Sequence, residues 1–458
     1  MASVPKLLLL VLCSYHTLAA HVRGDGDYTV LSIGSLKSDN HVCSEPEATS
    51  QSTGVTTVPL HHRHGPCSPL PSKKMPTLEE ILGRDQLRAA YIQRKFSGGD
   101  AKQGGVQLLD LDVTVPTTLG MSLDTLEYVI TVGIGSPDMI QTMFIDTGSD
   151  VSWVQCEPCS QCHSQADPLF DPSLSSTYSP IPCISDTCAE LGQEGSGCWR
   201  SQCQYIVRYG DGSSTTGTYG SDTLVLGSNI VTNFQFGCNY VDSGFSDQTA
   251  GLMGIGGGPQ SLVSQTAGTL GAAFSYCLPP TPSSSGFLTL GAVPGGQGFV
   301  MTPMLRSSPV PTFYGVTLEA IVVGGRQLFI PPWVFSAGAI MDSGTVITRL
   351  PWTAYSALST AFRAAMRRYP PAPPSSILDT CFDFSGQRMV VIPTVALVFS
   401  GGAVVNLDAN GIILDNCLAF AGNSDDWSLG IIGNVQQRTF EVLYDVGGGA
   451  VGFRAGAC

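Results

Sequence analysis

Phe144-Ile145-Asp146-Thr147-Gly148-Ser149 and Ile340-Met341-Asp342-Ser343-Gly344-Thr345 are one pattern written twice. In each, apolar residues lead into an aspartate, a small hydroxyl residue, a glycine and a second hydroxyl residue. The two copies lie about 200 residues apart, roughly one domain length. A third triplet, Asp242-Ser243-Gly244, is followed by Phe245 and lacks the second hydroxyl. A single Asp-Ser-Gly is weak evidence, because such residues form ordinary turns at strand ends. Two full copies, each led by a strand-like run, imply two similar lobes with one aspartate apiece.

Two carboxylates brought within hydrogen-bond reach cannot both ionise cheaply. One pKa rises and the other falls, so the pair shares a proton over a wide acidic range. The charged member, Asp146 or Asp342, can then take a proton from a water, and the protonated member can hydrogen-bond a carbonyl. Gly148 and Gly344 let each backbone turn and approach its twin. The hydroxyls of Thr147, Ser149, Ser343 and Thr345 can hold the carboxylates in place.

Further segments follow in a fixed order. Trp153 lies seven residues after Asp146, and Tyr209-Gly210-Asp211-Gly212-Ser213 reads as the tip of a hairpin. Ala250-Gly251-Leu252-Met253-Gly254-Ile255-Gly256 and Leu429-Gly430-Ile431-Ile432-Gly433-Asn434 are apolar-apolar-Gly segments. Phe440-Glu441-Val442-Leu443-Tyr444-Asp445 and Val451-Gly452-Phe453 close the chain as strands. From about Leu126 to Cys458 the sequence therefore resembles the pepsin-like aspartic proteases. The resemblance implies an all-β, bilobal pepsin-like acid protease fold, with the active site in the cleft between two β-rich lobes. It implies that Asp146 and Asp342 are catalytic and that Tyr209, with Gly210 and Asp211, forms a flap backed by Trp153. It implies no metal and no organic cofactor, protein or peptide substrates, and inhibition by pepstatin-type compounds.

Fifteen cysteines narrow the branch, twelve of them in the protease region. Cys156, Cys159, Cys162, Cys183, Cys188, Cys198 and Cys203 crowd between the first aspartate and the flap. Cys156-x-x-Cys159-x-x-Cys162-His163 has the spacing of a zinc site. An even count, a leader peptide and scattered later partners favour disulfides instead. The arrangement is similar to nepenthesin-like plant proteases. That resemblance implies the pairs Cys156–Cys159, Cys162–Cys238, Cys183–Cys203, Cys188–Cys198, Cys277–Cys458 and Cys381–Cys417. Cys43 and Cys67 lie upstream, and sequence leaves their pairing open.

The 458 residues suffice for two lobes and extra segments. Charged residues are scarce at 13%, while Gly (53) and Pro (30) are abundant, as in a loop-rich β protein. The formal charge of −14 falls entirely on residues 116–458, which hold no lysine. Such a body repels phosphate, so nucleic acid is not an expected partner. Lys6 followed by Leu7-Leu8-Leu9-Leu10-Val11-Leu12 and Ala19-Ala20 reads as a signal peptide over 1–20. No run is long enough to cross a bilayer, so no membrane anchor is expected. The expected location is secreted (extracellular or apoplastic) or vacuolar rather than chloroplastic, and the expected state a monomer.

Residues 21–115 read as a pro-segment, before an N-terminal lobe over 116–298 and a C-terminal lobe over 299–458. Thr77-x-x-Glu80 is a capping box opening a helix with Leu78, Ile81, Leu82, Ala89, Ile92 and Phe96 at helical spacing. The stretch from His61 to Lys102 is net basic, which suits a segment lying over an acidic cleft. His61-His62-Arg63-His64 is open to three readings: part of that segment, a metal tract, or a solvated loop. A second helix is expected over Tyr355–Tyr369, capped by Thr353. Together these features predict a secreted zymogen of an aspartic endopeptidase. The alternative is a catalytically inactive binding or inhibitor protein on the same fold.

Overall fold

The computed structural model describes residues 26–36, 43, 55–71, 76–97 and 126–457, apart from 211, 246 and 292–297. The expected signal peptide, parts of the expected pro-segment, Asp211 and Cys458 lie outside the described residues.

A long mixed sheet joins the two halves of the chain. Its central order is Val300–Pro303, Ala450–Ala455, Phe440–Asp445, Ala273–Cys277, Ser285–Gly291, Val55–His62, Tyr128–Ile134 and Met139–Asp146. The strand Val55–His62 comes from the upstream segment, yet it sits in mid-sheet. It runs antiparallel to Ser285–Gly291 on one side and meets Tyr128 and Val129 on the other. Its alternating pattern turns Thr56, Val58, Leu60 and His62 inward. Tyr128–Ile134 and Met139–Asp146 are buried on both faces, which explains their near-continuous apolar runs. Where the strands of the two halves meet, Phe274 stacks on Tyr444 with ring centroids 4.5 Å apart, and Tyr276 and Tyr314 pack around them.

The upstream segment touches the body at two more places. Tyr28–Ser32 pairs antiparallel with Met389–Pro393 at the edge of the C-terminal half. The helix Leu78–Phe96 begins at the complete capping box of Thr77 and Glu80 and buries Leu82, Asp85, Ala89 and Ile92. The second expected helix spans Trp352–Ala365, but Pro351 occupies its N-cap. Thr353 is one residue inside, where its backbone N–H and its hydroxyl both donate to Asp426. The His61–His64 tract is not a solvated loop: His62 and Arg63 are buried.

The cysteine-rich region pairs differently from the resemblance. Cys156 bonds Cys238 and Cys159 bonds Cys162, in place of Cys156–Cys159 and Cys162–Cys238. Trp153–Gln155 runs parallel to Asn229–Ser243 with Val154 opposite Cys238, and that register brings Cys156, not Cys162, to the buried partner. Likewise Cys183 bonds Cys198 and Cys188 bonds Cys203, correcting Cys183–Cys203 and Cys188–Cys198. Cys203 faces the core with Cys188 packed against the same cluster, whereas Cys198 lies exposed. Cys381 bonds Cys417, and upstream Cys43 bonds Cys67. The pair Cys277–Cys458 involves a residue outside the described ones.

Glu127 fixes the junction between the upstream strand and both halves. Arg438 Nη2 donates to it at 2.7 Å, His62 Nε2 lies 3.9 Å away, and its own carbonyl accepts from Arg63 N at 2.8 Å. Burial alone would raise the Glu127 carboxyl, but Arg438, His62 and Arg63 outweigh it and lower it from 4.5 to about 2. A folded value below the unfolded one gives stability that is present above pH 4.5 and lost as the pH falls toward 2. Glu127→Gln is therefore expected to cost about 3 kcal/mol at neutral pH and almost nothing near pH 2. Urea unfolding at both pH values checks this.

Candidate active site

Each aspartate of the repeated motif ends a buried strand. Met139–Asp146 has Gly251–Gly254 parallel beside it, with Gly254 opposite Asp146. Ala339–Met341 has Gly430–Ile432 parallel beside it, and Asp342 N donates to Ile432 O at 3.1 Å. The two arrangements are equivalent, as the internal repeat predicts. Thr147 and Ser343 then lock the loops together. Ser343 N donates to Thr147 Oγ1 at 2.9 Å, Thr147 N donates to Ser343 Oγ at 3.2 Å, and the two hydroxyls are 3.3 Å apart.

Both carboxylates are fully buried. Asp146 accepts from Gly148 N at 3.0 Å and from the Ser149 hydroxyl, and Asp342 accepts from Thr345 Oγ1 at 2.5 Å. Between them lies a guanidinium. Arg88, from the helix Leu78–Phe96, places Nη2 2.6 Å from Asp146 Oδ1 and 2.7 Å from Asp342 Oδ1. Its Nε donates to Asp342 Oδ2 at 2.8 Å. One cation thus bridges two buried anions. Burial alone would raise the Asp342 carboxyl, but Arg88, with help from Thr345 and Gly344 N, holds it below the usual carboxylate range.

The glycines of the motif serve this contact. Both glycines sit in the expected turns, without a positive φ, and a Cβ on Gly148 would lie 3.1 Å from Asp342 Oδ1. A Cβ on Gly148 would come within 2.6 Å of Arg88 Nη2, and one on Gly344 within 2.3 Å of Arg88 Cζ. Their missing side chains are the room for the guanidinium.

Above the dyad, Gln202–Arg208 and Ser214–Leu226 form a hairpin whose tip carries Tyr209 and Gly210. The Tyr209 hydroxyl accepts from Trp153 Nε1 at 2.7 Å. Tyr91 of the helix packs so closely on the tip that a Cβ on Gly210 would lie 2.2 Å from Tyr91 Cβ.

Comparison with known proteins agrees with this geometry. Sequence profiles described as "Xylanase inhibitor N-terminal" and "Xylanase inhibitor C-terminal" match residues 128–292 and 313–455. The chain is 41% identical to an Arabidopsis thaliana aspartyl protease family protein over 98% of both chains. It is 37% identical to aspartic proteinase nepenthesin-2 of Nepenthes gracilis, over 90% of this chain and 95% of that one. The crystal structure of basic 7S globulin from soybean superposes with a TM-score of 0.57 at 20% identity, covering 71% of this chain and 90% of that chain, which shows the shared fold. The chain belongs to the nepenthesin-like plant aspartic proteases.

By family it is an aspartic-type peptidase. The helix that carries Arg88 lies along its cleft. A cavity of about 550 Å³ there is lined by Arg88, Tyr91, Ser149, Tyr209 and Glu194, among others. Burial and nearby Asp150 push the Glu194 carboxyl up to about 7, with Lys95 of the helix opposing them. Two further contacts fix the helix on the C-terminal half. Asp85 accepts from Arg349 Nη2 and from Val346 N, each at 2.6 Å. Gln93 exchanges hydrogen bonds with the backbone of Leu429.

Arg88 and Asp85 are the functional residues that the sequence reading missed. Both fall on the apolar stripe of an amphipathic helix, beside Leu82, Ala89 and Ile92. A charge on such a stripe is the signal that would have found them, because a buried charge needs a partner.

The Thr147–Ser343 clasp sets the spacing of the dyad. Thr147→Val keeps the shape but leaves the buried Ser343 N–H without its acceptor. We expect a loss of about 1–3 kcal/mol of stability, read by denaturant unfolding, together with a fall in kcat.

Proposed function

We propose that the protein is made as a secreted zymogen whose dyad, once Arg88 withdraws, cleaves peptide bonds at acidic pH. The observation that carries this is Arg88 bridging Asp146 and Asp342 from a helix outside the two lobes. In the released enzyme the charged aspartate takes a proton as a water oxygen bonds to the peptide carbonyl carbon. The protonated aspartate hydrogen-bonds the carbonyl oxygen. As the C–N bond breaks, the leaving nitrogen takes up a proton from the dyad. Tyr209 closes over an extended substrate held across the cleft. The disulfides suit an oxidising destination, extracellular or vacuolar.

Acid sensitivity follows from proton bookkeeping. With Arg88 bound, the two carboxylates need no shared proton. With Arg88 gone, they must share one, at pH values up to about 5 for such pairs. Release therefore takes up a proton, so acid favours it. Asp85 acts in the opposite sense. Its burial outweighs Arg349 and the backbone donors and raises its carboxyl, so its protonation does not drive the helix off. The trigger is the dyad and not the outer ion pair.

A second reading has one observation behind it, the inhibitor description of the matching profiles. It makes the chain an inactive binding protein. Both motifs, their hydroxyls and Tyr209 are intact, which supports catalysis instead.

The test is peptide cleavage by the purified precursor from acid to neutral pH, with and without pepstatin. Wild type is expected to be latent near pH 6 and to activate in acid. Asp146→Asn and Asp342→Asn are each expected to lose at least about 100-fold in kcat. Arg88→Ala should cleave without prior acidification. Folded protein that sheds its upstream segment and cuts nothing would establish the binding reading.

A further inference from the structure

The run Cys156-x-x-Cys159-x-x-Cys162 is followed directly by a residue that the dyad chemistry does not use. His163 follows Cys162, whose partner is Cys159. Its ring is buried, with a side-chain exposure of 4%. Nδ1 lies 3.1 Å from Asp242 Oδ2, and Nε2 lies 2.9 Å from Thr249 O. Asp247 Oδ1 is 3.9 Å from Nε2. The Gln155 amide nitrogen, which donates to Gln165 Oε1, lies 3.3 Å from the same ring nitrogen. A carboxylate and a nearer carbonyl therefore face the two ring nitrogens. Neither acceptor can donate: the imidazolium serves both, whereas a neutral ring serves Asp242 alone and takes the second Gln155 N–H at Nε2.

The ring is one of four that end at the flap. His163 meets Trp153 edge-on at 6.5 Å and packs on Phe245 at 5.4 Å. Phe245 lies 5.1 Å from Trp153 and 6.2 Å from Tyr209, and Trp153 donates to the Tyr209 hydroxyl. Asn239 Nδ2 also donates to Asp242 Oδ2, at 2.8 Å, which fixes the carboxylate that holds the ring.

We propose that His163 is a positioning residue for the flap: as an imidazolium between Asp242, Asp247 and the Thr249 carbonyl, it braces Trp153 and Phe245 and so sets Tyr209 over the dyad. The cysteine-rich stretch is then the mount for that ring. Burial opposes the charge, but the bond to Asp242 and the charges of Asp247 and Asp242 outweigh it and raise the imidazole above its ordinary value. The brace is in place below the ordinary histidine range and is lost as the pH rises through the raised value. Its catalytic consequence rests on the protease reading; its charge state does not.

Two measurements test it. The first is an imidazole titration by NMR in the full-length chain, with the His163 signal identified by its absence in His163→Phe. No other histidine lies beyond residue 64. A midpoint above about 6.5 is expected, moving down in Asp247→Asn. A midpoint at or below 6.5 overturns the charged brace. If His163→Phe does not fold, the signal that moves in Asp247→Asn identifies the residue, and no moving signal overturns the proposal. The second is a double-mutant cycle on activated enzyme, with active sites counted by pepstatin. Tyr209→Phe and His163→Phe are each expected to lower kcat/KM about tenfold, and the double variant by little more than either alone. Asp247→Asn takes the place of His163→Phe if that chain is unfolded. Losses that simply multiply would assign His163 to the core and not to the flap. If wild type proves inactive, the protease reading fails while the titration still decides the charge.

Discussion

Two carboxylates buried side by side cannot both keep their charge without help, and the fold is arranged around that constraint. They need either a shared proton or a cation between them. The described protein uses Arg88. A guanidinium suits the place because it is flat, always charged, and reaches both carboxylates with one nitrogen while its Nε holds the second. The glycines of the repeated motif clear the space for it. A residue with a Cβ at either position would press on the same atoms, so the motif that builds the dyad also admits its plug.

Placing one arginine this accurately takes a long lever. The helix is held through Asp85 one turn before Arg88 and through Gln93 just over one turn after it. The strand Val55–His62 anchors the same segment in the central sheet, and Tyr28–Ser32 adds a third point on the C-terminal half. The disulfide between Cys43 and Cys67 ties the first part of this segment to the region just after the strand. A strand in mid-sheet is hard to remove, because its departure leaves backbone groups unpaired on both neighbours. The arginine is easier to displace than the segment that carries it. Uncovering the dyad and losing the upstream strand are therefore physically separate events.

The duplicated motif, both apolar-apolar-Gly segments and the hairpin-tip tyrosine were legible because each is local: a few adjacent residues with fixed chemistry. The capping box of Thr77 and Glu80 was legible for the same reason. Long-range pairings were not. Cys156 and Cys162 are equally good candidates for Cys238 by composition, and only the register of Trp153–Gln155 against Asn229–Ser243 decides between them. Thr353 looks like an N-cap by type, but Pro351 fixes the start of the helix two residues earlier and Asp426 takes the hydroxyl. Arg88 was hidden by its surroundings, a basic segment in which one more arginine carries no mark. What singles it out is its place on the apolar face beside Leu82, Ala89 and Ile92, which helical spacing shows and a count of charges does not.

The titrating groups divide by the sign of their shifts. Glu127 and Asp342 are held low by arginines, so the contacts they make weaken as the pH falls. His163 is held high by Asp242 and Asp247, so the contact it makes persists in acid and weakens as the pH rises. The first set secures the upstream segment, and the second lies behind the flap. Asp85, raised by burial, keeps its hold on the helix in acid, so acid loosens the Arg88 and Glu127 contacts while leaving intact what supports the flap. Opposite signs at the two places are what an enzyme needs if uncovering and working are to occur at the same pH. A flap braced by a lowered carboxylate would slacken in the same acid that exposed the dyad. An imidazolium between two aspartates avoids that conflict.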